Sequence, residues 1–481
     1  MKKFLLSASV LMLASTAFAA TDGQTYEPKN GYTCENLWVF DRLHTPDEYG
    51  ASKIASTSAR TATTDGKVVY VGLSDATASI EKYSVETGEY LGSLELKLNG
   101  EAYAGTLAAN QVGFDEYGNF YVASYSANSD GAGGLALYTC NLETGELTSV
   151  GDLLFLGGTG RVDYCDVVGD LTGVNAGATI MAASSAQDNA YVFAWTRGQG
   201  ETAWRAGWAS GMPFQAMTKA YPMPAEGSTL NFSYGTVLKQ VKDGSANGEM
   251  FMYYIDGFTT LPATYSSDGA MVDSFENVLP EQKDPDTGEV LVEGITIPVT
   301  GTNGVAEGHV GDQNIFAFSE GQYDAPHSCQ AVVTLVDESF SMPSMKQLWL
   351  VPADGLGHES DGGTRVHGLN TIALEPDANG KNAMLLVTFK CYNGMGVYRI
   401  AEEGYNPNAS VANNVVANAT IRVNGDVIAV SEVAESIEVY NVAGQKVAEV
   451  HNASEVAAPA NGVYVVKAVV NGAPVVKKVI L

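Results

Sequence analysis

The chain is short of positive charge, of cysteine and of long apolar runs, and each shortage narrows what it can do. Lys and Arg number 26 against 55 Asp and Glu, a formal charge of −29. A surface so negative repels phosphate backbones and anionic lipid, so no nucleic acid is expected as a partner. The five cysteines, Cys34, Cys140, Cys165, Cys329 and Cys391, are odd in number and contain no CxxC spacing. One or two disulfides and buried free thiols both stay open, and spacing pairs none of them. Gly-x-Ser-x-Gly, Walker A, Rossmann and HExxH patterns are missing, which leaves serine hydrolysis, nucleotide use and zinc proteolysis without support.

What is present begins with residues 1–19: Lys2 and Lys3, an almost wholly apolar run from Phe4 through Leu13, and Ala17-Phe18-Ala19. These read as a Sec-type signal peptide cut near Ala19/Ala20, with Cys34 too far on for a lipoprotein site. No later stretch approaches the roughly 20 apolar residues of a membrane span, so no transmembrane segment is expected. The expectation is an exported chain, secreted or at the cell surface by way of the periplasm.

A repeating unit follows, clearest from Gly113 to Leu147. Asp115-Glu116-Tyr117-Gly118-Asn119 signals a tight turn, Phe120-Tyr121-Val122-Ala123-Ser124 a buried strand, Leu135 to Thr139 a second strand, and Leu142-Glu143-Thr144-Gly145-Glu146 another turn. Thr64-Asp65-Gly66, Val68 to Val71, Ser79 to Tyr83 and Thr87-Gly88-Glu89 repeat it. With Val68, Phe120, Thr179, Met250, Ile315 and Met384 as equivalents, the steps are 52, 59, 71, 65 and 69 residues. Such steps exceed the roughly 40 to 50 residues of compact propeller repeats, so loops are inserted. Stacked sandwiches and a propeller both fit short strands with turn chemistry, and one equivalent inner strand per copy favours the propeller. The expected fold is all-β: a six- or seven-bladed β-propeller over residues 20–404, a linker at 405–419 and a small C-terminal β-sandwich at 420–481. Glu35 to Arg42 reads as a strand without a local partner, the kind that closes a ring.

The propeller region broadly resembles secreted β-propeller proteins of Bacteroidetes. The C-terminal resemblance is sharper. Val439-Tyr440-Asn441-Val442-Ala443-Gly444-Gln445-Lys446-Val447, Gly462-Val463-Tyr464-Val465-Val466-Lys467 and Lys477-Lys478-Val479-Ile480 resemble, in order and spacing, the C-terminal sorting domain of the type IX (Por) secretion system. That resemblance implies a folded address tag read by an export machine.

Candidate chemistry is scattered. Glu307-Gly308-His309-Val310-Gly311-Asp312 and His358-Glu359-Ser360-Asp361 place imidazole near carboxylates without matching an established metal-ligand spacing; Ca2+ suits Asp361 better than zinc, and solvated turns are the plainer reading. Arg161-Val162-Asp163-Tyr164-Cys165-Asp166 and Arg365-Val366-His367-Gly368 lead into innermost strands, where Arg161, Asp163, Asp166, Arg365 and His367 would meet a sugar or an anion, or else tie neighbouring blades together. Trp204, Arg205 and Trp208 could stack on sugar rings, whereas Tyr191, Phe193 and Trp195 alternate as a buried strand should. Two functions remain: a binding module for a glycan or protein ligand, and a polysaccharide-degrading enzyme with paired carboxylates in the channel.

Overall fold

The structure is a computed structural model that describes residues 19–128, 132–158, 160–184, 190–208, 215–216, 221–223, 237–242, 252–257, 260–266, 271–274, 282–285, 287–292, 294–295, 304–320, 330–357, 367–407, 421–424, 427–441, 445–457, 462–470 and 473–480. It divides into two compact units, Met1–Glu375 with Asn382–Glu403, and Pro376–Lys381 with Gly404–Leu481. Among the described residues the helices are short: Pro46–Gly50 and the 3-10 turn Met342–Ser344. No helix there is long and apolar enough to cross a membrane.

In the first unit the described residues form eight sheets: six are each built on four antiparallel strands, and two are two-stranded, Ser126–Asn128 with Gly160–Val162 and Gln282–Lys283 with Val290–Val292. Sheet 1 is Ala59–Thr64, Val68–Ser74, Ala78–Ser84 and Tyr90–Glu95; sheet 2 is Gln111–Phe114, Phe120–Ala123, Leu137–Cys140 and Glu146–Ser149. Sheet 3 is Cys165–Gly169, Ala178–Ala183, Ala190–Arg197 and Arg205–Trp208; sheet 4 is Val237–Lys242, Met252–Gly257, Thr260–Ser266 and Met271–Ser274. Sheet 5 is Val305–Val310, Gln313–Glu320, Gln330–Val336 and Lys346–Val351. Sheet 6 is His367–Leu374, Ala383–Lys390 and Gly394–Glu402, completed at its outer edge by the distant strand Tyr32–Asp41. The orphan strand anticipated at Glu35 to Arg42 thus pairs with Gly394–Glu402, from Tyr32 opposite Glu402 to Asp41 opposite Gly394.

Turn chemistry explains the meanders. Asp65 Oδ1 accepts the Lys67 and Val68 amides at 2.8 Å, and Asp115 Oδ1 accepts those of Tyr117 and Asn119 at 2.9 and 2.8 Å. Gly66 and Gly118 take φ of 88° and 80° there, which a side chain would resist. The next strands read as continuous apolar runs because neighbouring sheets cover both faces: Ala383–Lys390 is buried at every position.

Each apolar cluster of this unit is shared by adjacent sheets. Val69, Val71 and Leu73 of sheet 1 pack with Leu385, Val387 and Phe389 of sheet 6. Tyr70 and Ile80 meet Val112 and Val122; Tyr121 and Leu137 meet Ile180 and Trp195; Met181 and Ala194 meet Leu238 and Tyr265. Val237 then joins Phe316 and Phe318, and Ile315 and Val333 join Met384 and Tyr398. The sequence of sheets closes on itself, which is the packing logic of a propeller. Two sequence expectations need correction. The strands marked by Val68, Phe120, Thr179, Ile315 and Met384 are the second of their sheets, not the innermost, and the marker Met250 lies outside the described residues. The spans 209–247 and 261–310, long enough between markers to be read as inserted loops, contain sheet strands among their described residues: Val237–Lys242, most of Thr260–Ser266, Met271–Ser274 and Val305–Val310.

In the second unit, Ile421–Asn424, Val427–Asn441, Lys446–Ala457, Val463–Val470 and Ala473–Ile480 make one five-stranded antiparallel sheet. Val427–Asn441 pairs with Ile421–Asn424 at one end and Val463–Val470 at the other, with a register break against Lys446–Ala457 between Ala429 and Ala434. Ile437, Val439, Val466 and Ala468 alternate with exposed or half-buried neighbours and bury one apolar core with Ile421, Ile428 and Val456. The expected linker at 405–419 lies outside the described residues from 408 onward.

Candidate functional site

The first strand of every sheet faces the middle of the ring. Ala59–Thr64 touches His367–Leu374 and Gln111–Phe114; Val237–Lys242 touches Cys165–Gly169 and Val305–Val310; Val305–Val310 touches His367–Leu374. Gln111 bridges the last gap, its Nε2 donating to the Cys165 carbonyl at 2.7 Å and its Oε1 accepting the Cys165 amide at 2.8 Å. Partners climb together, Asn110 with Asp163, Gln111 with Cys165, Glu116 with Gly169, so these neighbouring strands run the same way. Small residues permit the approach: a Cβ on Gly308 would lie 2.9 Å from Thr371 Oγ1, and one on Gly368 would lie 3.1 Å from the Thr61 Cα. All six strands line one cavity of about 580 Å3.

The wall is polar and charged. Asp166, 7% exposed, holds Lys239 Nζ at 2.8 Å and accepts the Gln240 amide at 2.9 Å, stitching sheet 3 to sheet 4. Burial alone would lower the Lys239 pKa, but Asp166, then Glu307 and Glu116, hold the ammonium above its ordinary value. Glu307 and His309, two apart on one strand and so on one face, form an ion pair of 2.9 Å. Its hydrogen bond raises the imidazole pKa. Gln111, Asn314, Asn370 and Thr371 add neutral donors and acceptors to the same cavity.

At the end where the first strands begin, Arg161 grips Asp163 through two bonds of 2.6 and 2.5 Å and lies over the Tyr125 ring at 4.7 Å. Asp163 is 1% exposed, and its carbonyl accepts Asn110 Nδ2. Asp166 and Tyr164 line the cavity, and Arg161 and Asp163 are not among the described residues that do. His367 starts the first strand of sheet 6, opposite Lys390. Its side chain, Arg365 and His358 to Asp361 lie outside the described residues. Among those described, no group of three His, Cys, Asp or Glu side chains could hold a metal ion.

The tryptophan cluster lies apart from the cavity lining. Trp204, half buried, gives its indole N–H to the Val150 carbonyl at 2.8 Å and carries Arg197 over its ring at 4.6 Å. Trp195 is 2% exposed and bonds the Leu154 carbonyl at 3.0 Å, so Phe193 and Trp195 are core, with the half-buried Tyr191 packed against them. Exposed Arg205 reaches Glu201 at 3.5 Å; Trp208 ends its strand, its side chain outside the described residues. Cys34, Cys140, Cys165 and Cys391 are buried thiols outside any disulfide, and Cys329 lies outside the described residues. Lys239, Gln240 and Asn370 escaped the sequence reading, because a lone Lys or amide in a short mixed strand carries no spacing signal.

No family model matches the chain, and the comparison with curated proteins yields no match. Among solved structures, a DUF4623 family protein from Bacteroides eggerthii is 11% identical over 80% of this chain and 78% of its own, with a TM-score of 0.50. AofleA from Arthrobotrys oligospora is 10% identical over 81% and 91%, TM-score 0.39. A mutant of Aleuria aurantia lectin in complex with α-methyl-L-fucoside is 9% identical over 74% and 97%, TM-score 0.34. At such identities likeness concerns the fold alone, and the last two are too loose to carry argument. The chain is thus similar in fold to the Bacteroides protein.

Proposed function

We propose that the chain is an exported six-bladed β-propeller that binds a glycan in its central channel. The observation that carries this reading is the convergence of six strands on one cavity lined by amides, hydroxyls and charges of both signs. Its volume of about 580 Å3 lies within the roughly 300–1,000 Å3 of small-molecule sites. Sugars need such paired donors and acceptors, which Gln111, Asn314, Asn370 and Thr371 supply on this wall. Residues 1–19 serve as the export signal, and residues 420–481 as a sorting-like sandwich that hands the protein to an export machine at the cell surface.

A second reading, a polysaccharide-degrading enzyme, draws on the carboxylates of Glu116, Asp166 and Glu307 around one cavity. It is weaker because these groups already have structural partners: Gly169 for Glu116, Lys239 and Gln240 for Asp166, His309 for Glu307. A glycan array probed with the chain from Ala20 onward, with released-sugar analysis of the same mixtures, separates the two. Binding without product is expected. Product would establish the enzyme instead, and silence in both would replace the glycan by a protein ligand.

A further inference from the structure

One end of the channel is closed by a side chain that crosses the ring. Tyr164 comes from the lead into sheet 3, whose apolar clusters are shared with sheets 2 and 4. Yet Tyr164, 5% exposed, belongs to the cluster that joins sheets 1 and 6, together with Ala62, Val387 and Phe389. Its hydroxyl also feels the charge of Arg60 in sheet 1. The same side chain lines the cavity along with Thr61, Ala62 and Gly368 of sheets 1 and 6. Tyr164 therefore spans the middle of the ring where the first strands begin, and Val237 of sheet 4 packs against the same cluster. The preceding Val162 and Asp163 are 0% and 1% exposed, and Asn110 Nδ2 ties the Asp163 carbonyl to the lead of sheet 2. The other end is open. Glu116 is exposed and the His309 side chain is 53% exposed, and both stand with half-buried Asn314 on the lining where the first strands finish.

We infer that the channel is a blind pocket, floored by Tyr164 and entered past His309, that takes the free end of a glycan and not an internal stretch of polysaccharide. The inference deepens the channel-glycan reading and rests on it for the sugar, whereas the blind floor stands on packing alone. An internal sugar carries a neighbour on each side, and a pocket with one door gives room to only one of them. For the glycan to run on, Tyr164 would have to leave the cluster of sheets 1 and 6 and bare apolar surface that folding buries. An end sugar meets no such obstacle. It passes His309 and reaches the level of Gln111, Asp166 and Gln240, where amide and carboxylate groups meet its hydroxyls.

Two measurements on the whole chain from Ala20 onward test it. The first needs no sugar. Gln240, 7% exposed, lines the cavity between floor and mouth, so methanethiosulfonate ethylammonium reaches Gln240→Cys through whichever end is open, with the wild-type chain as blank. Adding His309→Trp should slow that labelling several-fold, and adding Tyr164→Gly to both should restore it. Equal labelling with and without the indole would reveal a second door and overturn the inference. If Tyr164→Gly does not fold, the comparison with His309→Trp decides alone. The second measurement uses a printed array on which the same disaccharides stand at the free end of some oligosaccharides and inside others. The internal form should be held at least about tenfold more weakly than the terminal one. Internal forms held as tightly as terminal ones would overturn the inference while leaving the channel-glycan reading intact. His309-dependent labelling without retention of any glycan would keep the blind pocket and sink the glycan reading.

Discussion

Asp166 holds two sheets together through three hydrogen bonds, and its removal would strand Lys239 in the channel wall. Asp166→Ala should cost about 3 kcal/mol, the lower end for breaking a buried pair, read as a lower urea midpoint with an unchanged slope. A second prediction concerns pH. His44 Nδ1 lies 2.8 Å from Asp41 Oδ2 and its Nε2 lies 3.3 Å from Asp354. The hydrogen bond to Asp41 raises the imidazole pKa, and burial raises that of Asp41 itself. The histidine shift favours the imidazolium, whereas the Asp41 shift opposes the charged carboxylate and is felt only at more acid pH. The histidine's contribution is complete below its unfolded value of about 6.5 and is lost as pH climbs through the raised folded value. The urea midpoint should therefore fall between pH 6 and 8, and His44→Gln should flatten that fall. Partners such as these lie out of reach of sequence reading when they are far apart: Trp204 looked free for a sugar until Val150, 54 residues away, took its N–H. Asp163 and Asp166 drew notice as a polar lead into Ala178–Ala183, whereas the strand Cys165–Gly169, in which Asp166 stands, gave no local signal.

At the scale of elements, the second strands were the most legible part of the fold. Asp-Gly and Asp-x-x-Gly-Asn turns announce them, and their apolar runs follow from cover on both faces. The first strands were hidden. Gln111–Phe114, Cys165–Gly169 and Val237–Lys242 pack one way on neighbours and face a polar channel the other way, so they show neither clean alternation nor an unbroken run. Two predictions belong here. Trp38, on the closing strand, is 2% exposed and bonds the Val85 carbonyl of sheet 1 at 2.8 Å. Trp38→Ala should cost about 3–5 kcal/mol, and deleting residues 32–41 should bare the edge of Gly394–Glu402 and yield self-associating protein on size exclusion. Gly72→Ala places a Cβ 2.8 Å from the Ala109 carbonyl oxygen between sheets 1 and 2. Overpacking of this kind should cost about 1–3 kcal/mol, visible as a lower thermal midpoint.

At the scale of the whole molecule, the account rests on the channel being the place of binding. A chain so acidic gains solubility from its surface, whereas Lys239, paired with Asp166, lines the cavity where the first strands converge. The direct measurement is titration calorimetry of the strongest array ligand into wild type and into His309→Trp. His309 is half exposed and lines the cavity, so an indole there fills space without disturbing the apolar core. His309→Trp should keep the wild-type thermal midpoint to within about 2 °C, a shift expected of surface changes, and lose at least about tenfold in affinity. Unchanged affinity in a folded His309→Trp would contradict it and move the ligand to another face of the ring.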